Sequence, residues 1–382
     1  MNKAIIKNIS IIPTTFFLVL FLVLSINTYG QTKNKTKKRN NTKKEVVSVQ
    51  DCPKAEELLT EAHNLIVEKQ YWVAKEKLEK AIILCPEEEI KYKYELAWDY
   101  YLMKEFRRTI DVLTPIASLD NAPSDIFQLM GNAYDGLNNE AMALVTYNKG
   151  LERYPNAGCL FLEKGNLAQK RSNFLRALEY YETGIEKDPS FASNYYRASQ
   201  IFLSSSEEVW GMIYGELFVN LEKQSQRHNE ICQRLYDTYH SEITFNLNQI
   251  RVNFNDPTIV YSDSKTRPNL FPDAYENALL KAAQGYKNIT LSSIINIRRK
   301  FIDIFYSLTP EFKNLLFDYH KTLIKLGYFE AYNYWLFGEV SQEESQKWIE
   351  KNKAKYNNFL KWMDENPLII NTENSFSRYK ME

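Results

Sequence analysis

Glycine is scarce in this chain, 12 of 382 residues, and histidine is scarcer, at four. The few glycines never assemble into G-x-x-x-x-G-K-[ST] or G-x-G-x-x-G, which removes the loops that cradle a nucleotide's phosphates. G-x-S-x-G is missing, as are a serine-lysine pair at β-lactamase spacing and the Cys-Gly signature of a cysteine protease, so no activated nucleophile announces itself. His63, His228, His240 and His320 form no H-E-x-x-H. His228 and Cys232, four apart, would share one helix face as a pair of zinc ligands, but two more ligands would have to come from elsewhere. A surface histidine beside a packed cysteine is the plainer reading. Asp303, Asp318, Glu330 and Glu339 read as solvated helix faces. We therefore expect no catalytic residue, no metal and no cofactor.

Long apolar runs are also lacking, with one exception at the start. Lys3 and Lys7 precede Phe16–Ile26, apolar except for Ser25, and Thr28-Tyr29-Gly30 offers small residues before Gln31. This is the layout of a cleaved export signal over 1–30; as a membrane anchor its apolar core is short. Residues 31–50 follow as a basic linker, with Lys33, Lys35, Lys37, Lys38, Arg39, Lys43 and Lys44 against a lone Glu45. Such a composition is expected to stay disordered and to make at most a weak contact with a membrane surface through 33–44. The 48 basic and 48 acidic residues cancel only because of this segment, and the body from Asp51 onward sits near −8. An acidic body argues against nucleic acid as a partner.

What the sequence does have is a period. Gly131, Ala143, Tyr147, Gly150 and Pro155 recur 34 residues on as Gly165, Ala177, Tyr181, Gly184 and Pro189. Weaker copies run back through Ala97, Tyr100 and Leu113 to Ala62, Ala74, Leu78, Ala81 and Pro86. Repetition at this period means stacked helix pairs, none of which can bury its apolar face alone. Small residues let the two helices of a pair approach, large ones such as Tyr147 and Tyr181 fill the gap, and the prolines end each second helix. The pattern resembles tetratricopeptide repeats from about Ala55 to Phe218. The fold expected is predominantly all-α: four to five helix pairs over 51–218, then capping helices and a mostly helical domain with a small β-hairpin over 219–382.

Cys52 lies just before the first helix of copy one and Cys85 just before the proline ending its second. Antiparallel helices bring those ends to one side, so a Cys52–Cys85 bridge could staple the pair, contributing about 2–4 kcal/mol; two unpaired thiols are the other reading. Cys159 and Cys232 show no comparable relation.

The resemblance also implies a groove lined by the first helix of each pair. Carried onto this sequence, it comprises Glu56, Leu59 and His63; Lys91, Tyr94, Trp98 and Tyr101; Asp125, Gln128, Asn132 and Asp135; Leu162, Asn166 and Gln169; and Tyr196 with Gln200. Packing does not readily account for the amides, which could bond a bound peptide's backbone, while Tyr94, Trp98 and Tyr101 could anchor a side chain. The chaperone-type carboxylate clamp is not reproduced, since Gln128 stands where a lysine is expected.

Beyond the repeats, a fifth copy begins at Tyr195 and Phe202 and diverges. Ser205 to Glu208 reads as a capping box, and Gly211 and Gly215 as contacts with the preceding pair. Alternation from Phe245 to Phe254, with Asn255-Asp256-Pro257 as the turn before Ile259–Tyr261, reads as a hairpin. Thr309-Pro310-Glu311 reads as one helix start and Ser341 with Glu344 as the start of a last long helix. Gly327, Tyr328 and Ala331 match repeat positions 16, 17 and 20, which puts position 8 on Tyr319. The layout, with Tyr328-Phe329-Glu330-Ala331-Tyr332, resembles exported bacterial repeat proteins whose C-terminal domain has no assigned activity.

The function expected is that of a non-catalytic scaffold in the periplasm or envelope, with a protein or extended peptide in the groove. Two alternatives stand beside it. One is a C-terminal ligand-binding or enzymatic domain, which a deep pocket gathering His320, Glu330 and Tyr332 would favour. The other is a structural part of an envelope or secretion assembly. The signal reading makes a first prediction: intact-mass measurement of exported protein should give a chain beginning at Gln31, and a retained Met1 would overturn it.

Overall fold

The computed structural model describes residues 51–246, 249–255 and 270–381; the export signal, the basic linker and the Asp256–Tyr261 part of the expected hairpin lie outside them. The described chain falls into two compact units, within 51–150 and 151–381.

The first unit is made of helix hairpins. Helices α1 (Cys52–Val67) and α2 (Tyr71–Leu84) form one, α3 (Glu89–Leu102) and α4 (Phe106–Ala117) the next, and α5 (Ser124–Gly136) pairs with α6 (Glu140–Arg153), whose last turn crosses the unit boundary. The expected small residues sit at the helix contacts: Ala62, Ala74, Ala97 and Ala143 are fully buried. Gly131 shows why size matters there, since a Cβ on it would stand 2.1 Å from Cε1 of Tyr147. Cys52 and Cys85 are joined, their sulfurs 1.99 Å and their Cα atoms 4.8 Å apart, as the antiparallel ends suggest.

Each hairpin turns on one residue that the sequence does not advertise. Lys69, Lys104 and Asn138 all have left-handed backbones, with φ near 60°. In each case the residue after it donates its N–H five residues back: Gln70 to the Leu65 carbonyl, Glu105 to Tyr100, Asn139 to Tyr134. This is the Schellman helix stop, usually served by glycine. Non-glycine residues accept the strain here because the packed helices on either side fix the turn.

In the second unit, α7 (Gly158–Lys170) and α8 (Phe174–Lys187) repeat the scheme, with Ser172 at the left-handed position and Asn173 bonded back to Ala168. Helices α9 (Ala192–Phe202) and α10 (Glu208–Leu221) form a fifth pair. Ser199 and Gly211 keep the small-residue register, 34 residues on from Gly165 and Ala177. Two expectations change. Ser205 Oγ accepts from the Glu207 N–H, and Glu208 itself starts the helix without a side-chain cap. A Cβ on Gly211 would first meet Leu203 within its own pair, and one on Gly215 would first meet Ile231 and Leu235 of the following helix, so the tightest approaches at these glycines are not to the preceding pair.

From Glu208 to Asn220 every residue of α10 is buried, the mark of a helix at the centre of its domain. The chain continues through α11 (Gln226–Glu242), α12 (Leu270–Ala283), α13 (Leu291–Leu308), α14 (Leu315–Leu326), α15 (Phe329–Phe337), α16 (Gln342–Lys351) and α17 (Lys353–Glu365), the last two packing on α15. The strands β1 (Ile243–Asn246) and β2 (Gln249–Val252) pair antiparallel, Phe245 opposite Ile250, so the two arms of this hairpin both lie within the first arm of the expected one, while the turn expected at Asn255-Asp256-Pro257 runs outside the described residues. Two further starts move. Thr309-Pro310-Glu311 lies in a turn, and Asn314 caps α14 by accepting from Leu316 and Phe317 N–H, because a short side-chain acceptor satisfies two orphan donors where proline satisfies none. The last long helix breaks at Asn352, whose side chain bonds the Trp348 carbonyl.

The chain after α17 returns to the fourth and fifth pairs. Phe376 is buried against Trp210, Tyr214 and Phe271. The Arg378 guanidinium donates to both oxygens of the fully buried Glu182, at 3.2 and 3.0 Å, and Ser377 Oγ donates to Glu186.

The close approach of α7 and α8 generates a test. A Cβ on Gly165 would lie 2.2 Å from Tyr181 Cε1, so Gly165→Leu should destabilise by about 1–3 kcal/mol or more. Lys187→Leu, on an exposed site, should leave the melting temperature nearly unchanged. Equal melting of the two variants in thermal unfolding would refute the packing argument.

Candidate functional site

The residues expected in the groove divide into those the fold consumes and those it leaves on a surface. On α3, Lys91 is consumed: its Nζ reaches both oxygens of Glu56 at 2.6 and 2.8 Å, and the Tyr92 hydroxyl donates to the same carboxylate at 2.7 Å. His63 Nε2 lies 3.1 Å from Glu95. Tyr94, Trp98 and Tyr101 form a half-buried row on α3 above the core of Ala97, Leu113, Ile116, Ile126 and Leu129. Trp98 stacks on Tyr101, ring centres 5.7 Å apart and 18° from parallel, and Tyr101 tilts onto Phe106 at 5.4 Å. Helix α5 of the same unit brings Asp125, Gln128, Asn132 and Asp135, with Asp125 exposed and the other three half-buried.

The amides have a packing explanation that the sequence reading did not allow them. Asn132 Oδ1 accepts the hydroxyl proton of Tyr147 at 2.5 Å. In the second unit, the Tyr181 hydroxyl lies 2.9 Å from both Asn166 Oδ1 and Gln169 Oε1, either of which can take its one proton, and Asn166 Nδ2 donates to Glu163. The tyrosines that fill the space beside Gly131 and Gly165 must satisfy a hydroxyl inside a helix contact, and the neighbouring amide does so. The signal was present: Asn132 and Asn166 stand 34 apart, in register with the glycines before them.

Tyr196 and Gln200 are also not free to receive a partner. Glu230 of α11 takes the Tyr196 hydroxyl and the Gln200 amide, each at 2.8 Å, and Arg227 covers the Tyr196 ring at 5.0 Å. The chain's own helix α11 occupies this end of the expected groove. His228 and Cys232 of that helix are buried, and His228 Nδ1 bonds the Glu222 carbonyl, so the pair serves packing.

The expected gathering of His320, Glu330 and Tyr332 does not form. His320 and Tyr332 meet instead at Glu216, whose Oε1 accepts from His320 Nε2 at 2.7 Å, from the Tyr332 hydroxyl at 2.8 Å and from Arg298. Asn220 donates to the Tyr332 oxygen at 2.8 Å, and Arg298 also reaches Asn333. Burial alone would raise the Glu216 carboxyl, but Arg298, His320 and Tyr332 overcome it and hold the pKa at about 2. Burial pushes His320 down, so its ring stays neutral and donates to a carboxylate that can only accept. The void beside these groups is about 20 Å³, room for one water and no substrate.

The left-handed Gly327 explains this arrangement. Tyr328 donates back to the Leu323 carbonyl as in the repeat turns, which aligns Gly327 with Lys69, Lys104, Asn138 and Ser172. The expected register was one residue off: the two helix-contact positions, 12 apart in every pair, fall here on His320 and Tyr332, not on Tyr319 and Ala331. Where the repeats place glycine and alanine, the α14–α15 hairpin places two donors aimed at Glu216.

No family model matches the chain, and no curated protein matches it. Solved structures that it resembles include MamA, at 14% identity over 42% of this chain and 93% of that one, with a TM-score of 0.33. A second is the TPR2AB domain of yeast Sti1 in complex with pHSP90, at 16% identity, 48% and 83% coverage and a TM-score of 0.25. A third is the C-terminal part of a TPR repeat-containing protein from Cytophaga hutchinsonii, at 15% identity, 79% and 93% coverage and a TM-score of 0.34. At such scores the assignment of helix-pair repeats rests on the turns, the small-residue register and the tyrosine contacts described above.

Beside the aromatic row, Asp99 is fully buried with neither carboxylate oxygen bonded to any described group. Burial pushes its pKa up to about 7, opposed only by Lys75. A carboxyl raised in the folded state holds its proton there while the unfolded chain has released it. Stability should therefore fall as pH rises from about 4 to 7 and stay low above. Asp99→Asn should raise stability at pH 8 by about 1–3 kcal/mol and give no gain near pH 3.5. Thermal melts across that range check it, and an unchanged profile would refute it.

Proposed function

We propose that the chain is a non-catalytic protein-interaction scaffold, exported across a membrane, that receives an extended segment of a partner protein on the α3–α5 face. The observation that carries this reading is the Tyr94, Trp98 and Tyr101 row, half-buried on α3 and next to the polar row of α5. Aromatic residues in this state have apolar area left to cover, and stacked rings present it at low entropic cost. Asn132, Asn166 and Gln169 are engaged by tyrosine hydroxyls, so recognition falls on the aromatic row.

Lys91 is committed to Glu56, which leaves the exposed Asp125 as a charge of the face and disfavours a carboxylate-ended ligand. A partner segment with an apolar anchor and basic flanks suits it. Export is supported by the opening apolar run and by the Cys52–Cys85 bridge, since disulfides persist in oxidising compartments.

The test is quantitative binding of a partner recovered from envelope extracts with the mature protein. Trp98→Ala should weaken its Kd about thirtyfold, the effect of losing an anchor worth about 2 kcal/mol, with helical content retained. Asn132→Ala and Asn166→Ala should instead lower the melting temperature, because each strips an acceptor from a buried tyrosine hydroxyl. Undiminished affinity of folded Trp98→Ala would remove the α3 row from recognition.

A further inference from the structure

The second unit carries a cavity that the scaffold reading does not use. It measures about 350 Å³ and is lined by Arg299 of α13, Ile324 and Gly327 at the end of α14, Phe329 and Glu330 at the start of α15, and Lys355 of α17. That volume lies in the range of small-molecule sites. The buried Phe329 and half-buried Ile324 give it an apolar floor. Gly327 opens the mouth: nothing stands within 4 Å of where a Cβ would be.

Its charges do not cancel. Glu330 is fully engaged, Oε1 with the Trp348 indole N–H at 3.0 Å and Oε2 with Lys355 Nζ at 2.9 Å. That pair is neutral as a unit. Arg299 is half-buried on the cavity wall and forms no ion pair or hydrogen bond with any described group. A guanidinium presents five donors in a planar fork suited to carboxylate and phosphate, and one left without a carboxylate over an apolar floor is open to an anion. The first turn of α15 has no side-chain cap and borders the same space, adding partial positive charge.

We propose that this cavity binds a small organic oxyanion, a carboxylate or phosphate monoester with a compact apolar body, the anion held by Arg299 and the body resting on Phe329 and Ile324. The site is independent of the α3–α5 face and does not depend on the scaffold reading.

Full-length protein is titrated by calorimetry with benzoate, phenyl phosphate, inorganic phosphate and benzylammonium. Benzoate and phenyl phosphate should bind, inorganic phosphate should bind at least about tenfold more weakly than phenyl phosphate, and benzylammonium should not bind. Arg299→Met should weaken both aromatic anions at least about tenfold without lowering the melting temperature, since Arg299 supports no other described group. Lys355→Met should weaken them too, by exposing the Glu330 charge to the anion. Absence of anion binding in the millimolar range, benzylammonium binding equal to benzoate, or an affinity unchanged by Arg299→Met would each overturn the proposal. Equal affinity for inorganic and phenyl phosphate would overturn the apolar floor and with it the organic ligand.

Discussion

A single carboxylate sets the terms for the second unit. Glu216 sits in the middle of a helix buried on every side, so its charge has to be met by protein, and it is met from three directions by Arg298, His320 and Tyr332. Breaking such a buried set by removing one member typically costs about 3–5 kcal/mol, because the remaining charge is left stranded. The demand fixes where α13, α14 and α15 stand relative to α10, since each must bring its donor within hydrogen-bond reach. Apolar packing alone tolerates sliding by a turn; this arrangement does not.

The same helix hairpin is thereby put to two uses. In the repeats, the two contact positions are small and the gap is closed by a tyrosine whose hydroxyl is handed to an amide, as with Tyr181 on Asn166 and Gln169. In α14–α15 the turn is the same left-handed helix stop, but the contact positions carry His320 and Tyr332, which face α10 across ring contacts of about 5.6 Å to one another. Polar satisfaction is local in the first case and long-range in the second. A repeat can therefore be copied along the chain, whereas the α14–α15 pair has meaning only beside Glu216.

Period and residue size made the repeats legible, because Gly131 with Tyr147 and Gly165 with Tyr181 are steric necessities that leave a fixed spacing. The Cys52–Cys85 pair was legible for the same reason, as a consequence of two antiparallel helices of known length. The turns were not, because Lys69, Lys104, Asn138 and Ser172 hold left-handed backbones that composition assigns to glycine. That gap hid the equivalence of Gly327 with those residues and put the α14–α15 register one residue out. The amides were misread because a hydroxyl acceptor and a peptide-binding group look alike in sequence, and only the distance from Tyr147 or Tyr181 separates them. Tyr196 and Gln200 were misplaced because what covers them, Glu230 and Arg227, arrives from a helix outside the repeat pattern. On α3, the helix face shared by Tyr94, Trp98 and Tyr101 was legible from their spacing, and the engagement of Lys91 by Glu56 was not.

Arg378 lies 196 residues downstream of Glu182, yet that carboxylate has no exposed surface and depends on it. On a ribosome the fourth helix pair would emerge long before its counter-ion. Until Arg378 arrives, closing α8 against α10 would bury this carboxylate with the neutral Tyr214 hydroxyl as a donor but without the Arg378 guanidinium, so the interior face of this pair should close less firmly in a shorter nascent chain. Synthesis of the segment that carries Arg378 thus acts as the latch.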